Sequence, residues 1–227
     1  MILDLGDQPP SNSFLNVNEL NSPESKFPLR LFWCTDCYLV QLLDIVDKEY
    51  LFKNYFYMTS ASKPIVEHFK KYAQDVYKEF LQKENDSFVV EIGSNDGSLL
   101  SEFKKLGTTI LGIEPATNLS DLANQSNVTT KNTFFSSEVS KDIVKSRNAS
   151  VVVANNVIAH IENLQDLMYG IKILIGNNGV FIFEVPYLVD LIKNLEFDTI
   201  YHEHLSYFSI LPLLKLVEQF GLEIFDI

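Results

Sequence analysis

The chain has 227 residues with 18 Lys plus Arg against 30 Asp plus Glu, a formal net charge of −12. That length suffices for one large core or two modest domains, and a composition of 46% hydrophobic and 21% charged residues is that of a globular protein, not a disordered or fibrous one. An acidic chain whose arginines are Arg30 and Arg147 lacks the basic face that counterion-release binding to nucleic acid requires, and no apolar run approaches a membrane span.

The start, Met1-Ile2-Leu3-Asp4, places an acid where a secretory signal would carry basic residues, so a cytoplasmic location is expected. Residues 1–58 are rich in Pro, Asn and Ser, with short apolar runs at Leu29–Trp33 and Tyr38–Leu42, and read as a small strand-and-loop module. Between those runs lie the chain's two cysteines, Cys34 and Cys37. A C-x-x-C pair is a redox motif, half of a metal site, or coincidence. No helix start follows it, as a thioredoxin-type motif would need. Half a zinc knuckle fits better, yet zinc typically takes four ligands and no second pair exists in the sequence.

Residues 59–86 read as a linker and an amphipathic helix, with Ile65, Phe69, Tyr72, Val76 and Phe80 at helical spacing after Pro64. From residue 87 to 227 strands and helices alternate. Strands are expected at 88–92, 109–114, 129–130, 150–154 and 179–184, and a last one at 222–227. Helices are expected at 98–106, 118–125, 138–145, 164–175 and 212–220. Apolar strands alternating with helices imply an α/β, Rossmann-like fold with a mostly parallel sheet covered on both faces.

The first of these strands runs into Glu91-Ile92-Gly93-Ser94-Asn95-Asp96-Gly97 and then a helix. Gly93 suits a tight turn off the strand, and Gly97 a close approach of the helix start to a ligand. The G-x-x-x-G spacing does not meet the dinucleotide fingerprint. Glu91 can receive an ammonium, which a pyrophosphate site would repel, and Glu114 closes the second strand where an acid binds ribose hydroxyls. An acidic loop with a ribose-reading acid fits S-adenosylmethionine better than NAD. The bland alternative is a structural turn with a chance acid. The strand at 150–154 then delivers Asn155, Asn156 and His160 to the carboxyl end of the sheet, where ligand crevices form; a helix cap with a surface histidine is the rival reading.

Residues 201–204 read Tyr201-His202-Glu203-His204. A phenol, two imidazoles and a carboxylate in one short run suit proton abstraction near neutral pH. In an ideal strand His202 and His204 share one face and Tyr201 and Glu203 the other, so a working cluster requires an irregular segment. A metal site of His202, Glu203 and His204 ranks below acid–base chemistry, because such ligands are better dispersed. A solvated polar loop is the remaining alternative.

Taken together the motifs resemble the sugar C-methyltransferases that act on nucleotide-linked deoxysugars. The carrying residues are Asp4-Leu5-Gly6, Phe27-Pro28-Leu29, Cys34-Thr35-Asp36-Cys37, Leu39–Leu42, Tyr55-Phe56-Tyr57, the Glu91–Gly97 loop, Gly112–Pro115, Asn155–His160 and Tyr201–His204. The resemblance implies a class I methyltransferase using S-adenosylmethionine, with a zinc-binding N-terminal module to which Cys34 and Cys37 belong. It implies that Glu91, Gly93, Asn95, Gly97, Glu114, Asn155 and Asn156 serve the cofactor. It implies His204 as base, with Tyr201, Glu203 and His160 beside it, and Tyr55, Tyr57 and His202 around the substrate. The implied substrate is a small molecule, a 4-keto-6-deoxy nucleotide sugar, methylated on the carbon next to its ketone. Methylation of oxygen or of another keto substrate, or a non-catalytic nucleotide-binding domain, are the alternatives. Relatives of this type carry an earlier cysteine pair and a further α/β domain, so an incomplete zinc site and a missing last strand are expected here.

Overall fold

The computed structural model describes residues 1–52 and 55–227. The chain forms two compact units: residues 1–51, 158–162 and 185–227 make the first, and residues 52–157 and 163–184 the second.

The first unit opens with an antiparallel sheet. β1 (Leu3–Gln8) pairs with β2 (Phe27–Trp33), which pairs with β3 (Val40–Leu42). β2 alternates as half-buried strands do: Leu29 and Leu31 are buried while Arg30 points outward to a bidentate pair with Asp44 at 2.8 and 3.0 Å. A short helix, α1 (Lys48–Phe52), follows.

The second unit begins with α2 (Lys63–Val76), which has Pro64 in its first turn and runs on into one wider turn at Tyr77–Leu81. β4 (Phe88–Ile92) is buried along its whole length and occupies the middle of a five-stranded parallel sheet. In chain order there follow α3 (Ser98–Lys105), β5 (Thr109–Ile113), α4 (Thr117–Gln125), β6 (Thr130–Lys131), α5 (Ser137–Ile143), β7 (Val151–Asn155), α6 (Leu164–Ile175) and β8 (Val180–Glu184). The spatial order is β6-β5-β4-β7-β8. The order therefore reverses at β4, and the carboxyl ends of β4 and β7 flank the switch point where such sheets bind ligands. Side chains cap two helices: Ser136 accepts from the Val139 N–H, and Asn163 from the Asp166 N–H. One face of the sheet, carrying Val89, Val151, Val153 and Ile182, forms a core with Phe69, Ala73 and Val76 of α2.

The chain then completes the first unit with α7 (Leu188–Asn194), β9 (Ser206–Tyr207) and α8 (Ile210–Glu218). β9 pairs with β3, so Tyr207 joins Leu29, Leu31, Val40, Leu42 and Leu191 in one apolar cluster. The expected last strand at 222–227 does not form. That segment has no ladder partner among the described residues, and a strand without a neighbour leaves its backbone to water; Phe225 and Ile227 are 63% and 91% exposed. No helix among the described residues is long and apolar enough to cross a membrane.

Candidate cofactor and acid–base sites

In the second unit the turn after β4 is fixed by its own backbone. The Gly93 and Ser94 N–H groups donate to the Ile113 carbonyl at 2.8 and 3.2 Å. Gly93 adopts φ +68°, and a Cβ there would overlap the Val157 side chain. Gly97 adopts φ +79°, and its Cβ would lie 2.8 Å from Val128. Both glycines are thus required by conformation and by packing inside the unit. At Gly97 the close approach within the protein is to Val128.

Asn95 also sits in the left-handed region, at φ +50°. Its N–H donates to Glu114 Oε2 and the Ala116 N–H donates to Oε1, each at 2.8 Å. The acid ending β5 therefore anchors the loop after β4 and the start of α4. Burial raises the Glu114 pKa, while the Ala116 and Asn95 N–H groups oppose the shift. The Asn95 side chain binds backbone: Oδ1 accepts from Thr59 N–H and Nδ2 donates to the Tyr57 carbonyl, both at 3.0 Å. Asp96, which carries no sequence signal of its own, accepts from the Ser60 N–H at 2.8 Å and from the Ser98 hydroxyl at 2.6 Å.

Glu91 is 4% exposed, and its Oε2 has no hydrogen-bond partner among the described residues. Burial, reinforced by Glu114 and Asp96, holds its pKa well above the usual carboxylate range. Nδ2 of Asn155, at the end of β7, is likewise buried without a partner. Asn156 turns the chain at φ +56°, with its N–H donating to the Glu184 carbonyl at 2.7 Å. An unpaired buried carboxylate oxygen is costly unless a donor reaches it. An ammonium is such a donor, so the residues present fit a cationic amino-acid group. Tyr55 and Tyr57 belong to this unit too. Tyr55 exchanges backbone hydrogen bonds with the Asn118 side chain, at 3.3 and 2.8 Å. The Tyr57 hydroxyl pKa is raised by burial and by Asp96.

The first unit holds the acid–base residues. His204 Nδ1 lies 2.9 Å from the Thr199 carbonyl, and Nε2 lies 2.9 Å from the Tyr201 hydroxyl. A carbonyl only accepts, so Nδ1 carries the proton and Nε2 offers its lone pair to the tyrosine O–H. Burial lowers the His204 pKa against the pull of the Thr199 carbonyl, which keeps the ring neutral. Burial and then Glu203 push the Tyr201 phenol up to about 12. His160 joins them edge-on, its ring centroid 4.9 Å from that of His204. It ends a 3₁₀ turn, Ile158–His160, pinned by a 2.7 Å bond from the Leu205 N–H to the Ala159 carbonyl.

The run 201–204 is a turn, not a strand, and its side chains separate. His202 does not share a face with His204. It is 1% exposed, edge-on to Phe27, with Nε2 donating to the Phe27 carbonyl at 3.1 Å. Glu203 is also 1% exposed and accepts from Asn12 Nδ2 at 2.6 Å. Neither Asn12 nor Thr199 carried a sequence signal, because each acts from a distant or backbone position.

Cys34 and Cys37 are free thiols in the turn after β2. The Cys34 N–H donates to the Leu39 carbonyl at 2.9 Å, and the Cys37 and Asp36 N–H groups lower the Cys34 thiol pKa. N–H groups aimed at a sulfur suit a knuckle. Among the described residues, however, no group of three or more His, Cys, Asp or Glu could hold a metal ion. The two thiols supply half of a typical zinc donor set.

A family described as a zinc binding domain matches residues 1–52, and a methyltransferase domain family matches residues 65–227. The chain is 35% identical over 227 residues to the C-methyltransferase NovU of Streptomyces niveus, covering 100% of this chain and 54% of that protein. The chain thus spans about half the length of this curated relative. Among solved structures, a SAM-dependent methyltransferase from Archaeoglobus fulgidus aligns with TM-score 0.50 and 16% identity, over 68% of this chain and 67% of that one. A chain of the complex between the Haloferax volcanii Trm112 methyltransferase activator and a methyltransferase aligns with TM-score 0.51 and 12% identity, over 73% and 76%. These two likenesses show the fold.

Proposed function

We propose, on the premise that the chain belongs to the methyltransferase domain family, that it transfers a methyl group from S-adenosylmethionine to carbon next to the ketone of a nucleotide-linked keto-deoxysugar. The observation that carries this reading is the Thr199–His204–Tyr201 chain, because it fixes a neutral imidazole with its basic nitrogen turned to a phenol. The name of the Streptomyces relative supports carbon as the acceptor. The sequence run Tyr201-His202-Glu203-His204 supports the sugar class.

When bound, the cofactor supplies an electrophilic methyl group. In this proposal Glu91 receives its ammonium, and Glu114, already steadied by two backbone N–H groups, uses its remaining lone pairs for ribose hydroxyls. His204 Nε2 takes the proton from the carbon beside the ketone, and the C–H electron pair passes to the carbonyl oxygen. As Nε2 becomes N–H it no longer accepts from Tyr201, so the freed O–H turns to that oxygen and stabilises its charge. Burial, and then Glu203, raise the phenol's pKa and keep Tyr201 protonated for this task. The carbon would then take the methyl group as the methyl–sulfur bond breaks and S-adenosylhomocysteine leaves, and His204 returns its proton to solvent. His160 walls the imidazole, and Tyr55 and Tyr57 contact the sugar. His202 has no part in the chemistry, since its ring is buried on the Phe27 carbonyl. Zinc in the Cys34–Cys37 turn would be structural.

A screen of TDP-, GDP- and CDP-linked keto-deoxysugars with ¹³C-methyl cofactor, read by product NMR, tests the proposal. A methyl carbon bonded to ring carbon is the expected product. An O-methyl product would favour the second reading, oxygen methylation on the same fold.

A further inference from the structure

Sequence periodicity gives α2 a core-packing role, but the helix changes character along its length. Phe69, Ala73 and Val76 sit in the core, while His68 and Tyr72, one turn apart, present an imidazole and a phenol with ring centroids 6.0 Å apart. The sheet face beneath changes in step. Glu91 is in register with Val153, and Asn155 with Glu184, so alternation puts Glu91, Asn155 and Glu184 on the face that carries Val89, Val151, Val153 and Ile182. That face is apolar at the amino ends of the strands and polar at their carboxyl ends. The polar groups of α2 meet it there. His68 Nε2 lies 2.8 Å from Glu184 Oε1, and the Tyr72 hydroxyl lies 3.5 Å from Asn155 Oδ1, the outer limit of a hydrogen bond.

Two buried atoms on this polar face have no partner among the described residues: an acceptor, Glu91 Oε2, and a donor, Asn155 Nδ2. Each buried orphan calls for a partner, and these two are of opposite sense. A group that supplies both a cationic donor and an anionic acceptor satisfies the two together, and an α-amino acid zwitterion is such a group. Tyr72 is the neighbour of the Oδ1 end of the Asn155 amide, and the Nδ2 end is the one left unpaired.

We propose that α2, through Tyr72 and the His68–Glu184 pair, completes a subsite for the zwitterionic amino-acid end of the cofactor, with Glu91 taking the ammonium and Asn155 Nδ2 the carboxylate. The inference rests on the S-adenosylmethionine reading above and extends it to three residues, His68, Tyr72 and Glu184, that the sequence motifs do not include. Asn155 touches the ligand. Tyr72 positions Asn155, and the His68–Glu184 pair seats α2 over the strand ends.

The test compares two ligands by calorimetric titration: S-adenosylhomocysteine, which has the amino-acid end, and 5′-methylthioadenosine, which lacks it. Wild type should bind the first more tightly. Asn155→Asp, which sets a carboxylate against a carboxylate, and Tyr72→Phe should each weaken S-adenosylhomocysteine about tenfold or more and leave 5′-methylthioadenosine unchanged. His68→Ala should act in the same sense, and His68→Gln, which keeps a hydrogen bond to Glu184, should restore affinity. Equal losses for both ligands, or none, would reduce α2 to a structural cover and overturn the inference while leaving the methyltransferase reading intact. Wild type that binds neither ligand would overturn that reading, and this one with it.

Discussion

The Tyr201 hydroxyl donates to His204 Nε2 at 2.9 Å, and the direction of that bond is set by the other side of the ring, where Nδ1 is committed to the Thr199 carbonyl. A base poised in this way stays neutral to lower pH than a free imidazole. Burial lowers the His204 pKa, so the ring remains available as a base below its ordinary value near about 6.5. The acid limb of the kcat/KM profile should therefore fall below that value and disappear in His204→Asn, whose residual rate should be about 10²–10⁴ lower. A limb at or above the free-histidine value would remove His204 as the titrating group.

Glu91 sets stability against binding. Its pKa is raised in the folded state, so the folded protein binds a proton that the unfolded chain releases, and stability falls as pH rises from the unfolded pKa toward the folded one. Above that window the buried charge is a standing cost. Glu91→Gln should raise Tm at pH 7 without ligand, with the gain vanishing near pH 4, while affinity for S-adenosylhomocysteine drops. Thermal melts across pH that show no gain at pH 7 would contradict a buried carboxyl whose pKa is raised by folding.

Gly93 is constrained twice, by its backbone and by Val157. Gly93→Ala should cost about 1–2 kcal/mol for the left-handed conformation and about 1–3 kcal/mol more for crowding. Adding Val157→Ala should recover the second part only. Urea denaturation of both variants separates the two, and full recovery in the double variant would show that φ at Gly93 is unimportant.

The alternation of strands and helices from 88 to 184 was legible because most strands there are short apolar runs, β4 buried along its whole length and β7 nearly so. The Glu91–Gly97 loop was legible because glycine spacing and acids at strand ends are local signals. The partners of the acid–base run were not. Asn12 reaches Glu203 across 191 positions, and His202 is held by the carbonyl of Phe27, a group every residue has. The expected strand at 222–227 failed for the converse reason: its apolar residues fit a strand, but pairing depends on a neighbour that local pattern cannot supply. Residues 158–162 and 185–227 cluster with residues 1–51, and the β3–β9 pairing that ties them is long-range, beyond the reach of local pattern.

The Cys34–Cys37 turn offers two thiols, one with its pKa lowered by backbone N–H groups. Two sulfurs alone should hold zinc weakly, so a chelator should strip any metal from this chain without shifting its Tm. Stoichiometric zinc that survives the chelator would show that further ligands complete the site.

In the proposed reaction this chain makes a carbanion equivalent next to a ketone with His204 as base. The most direct measurement is proton NMR of a TDP-4-keto-6-deoxyhexose in D₂O with the enzyme and S-adenosylhomocysteine, which permits deprotonation but no methyl transfer. The signal of the proton beside the ketone should wash out with wild type and persist with His204→Asn, whose cofactor affinity should stay near normal. Equal washout by His204→Asn, or none by a wild-type enzyme that methylates the same sugar, would contradict it.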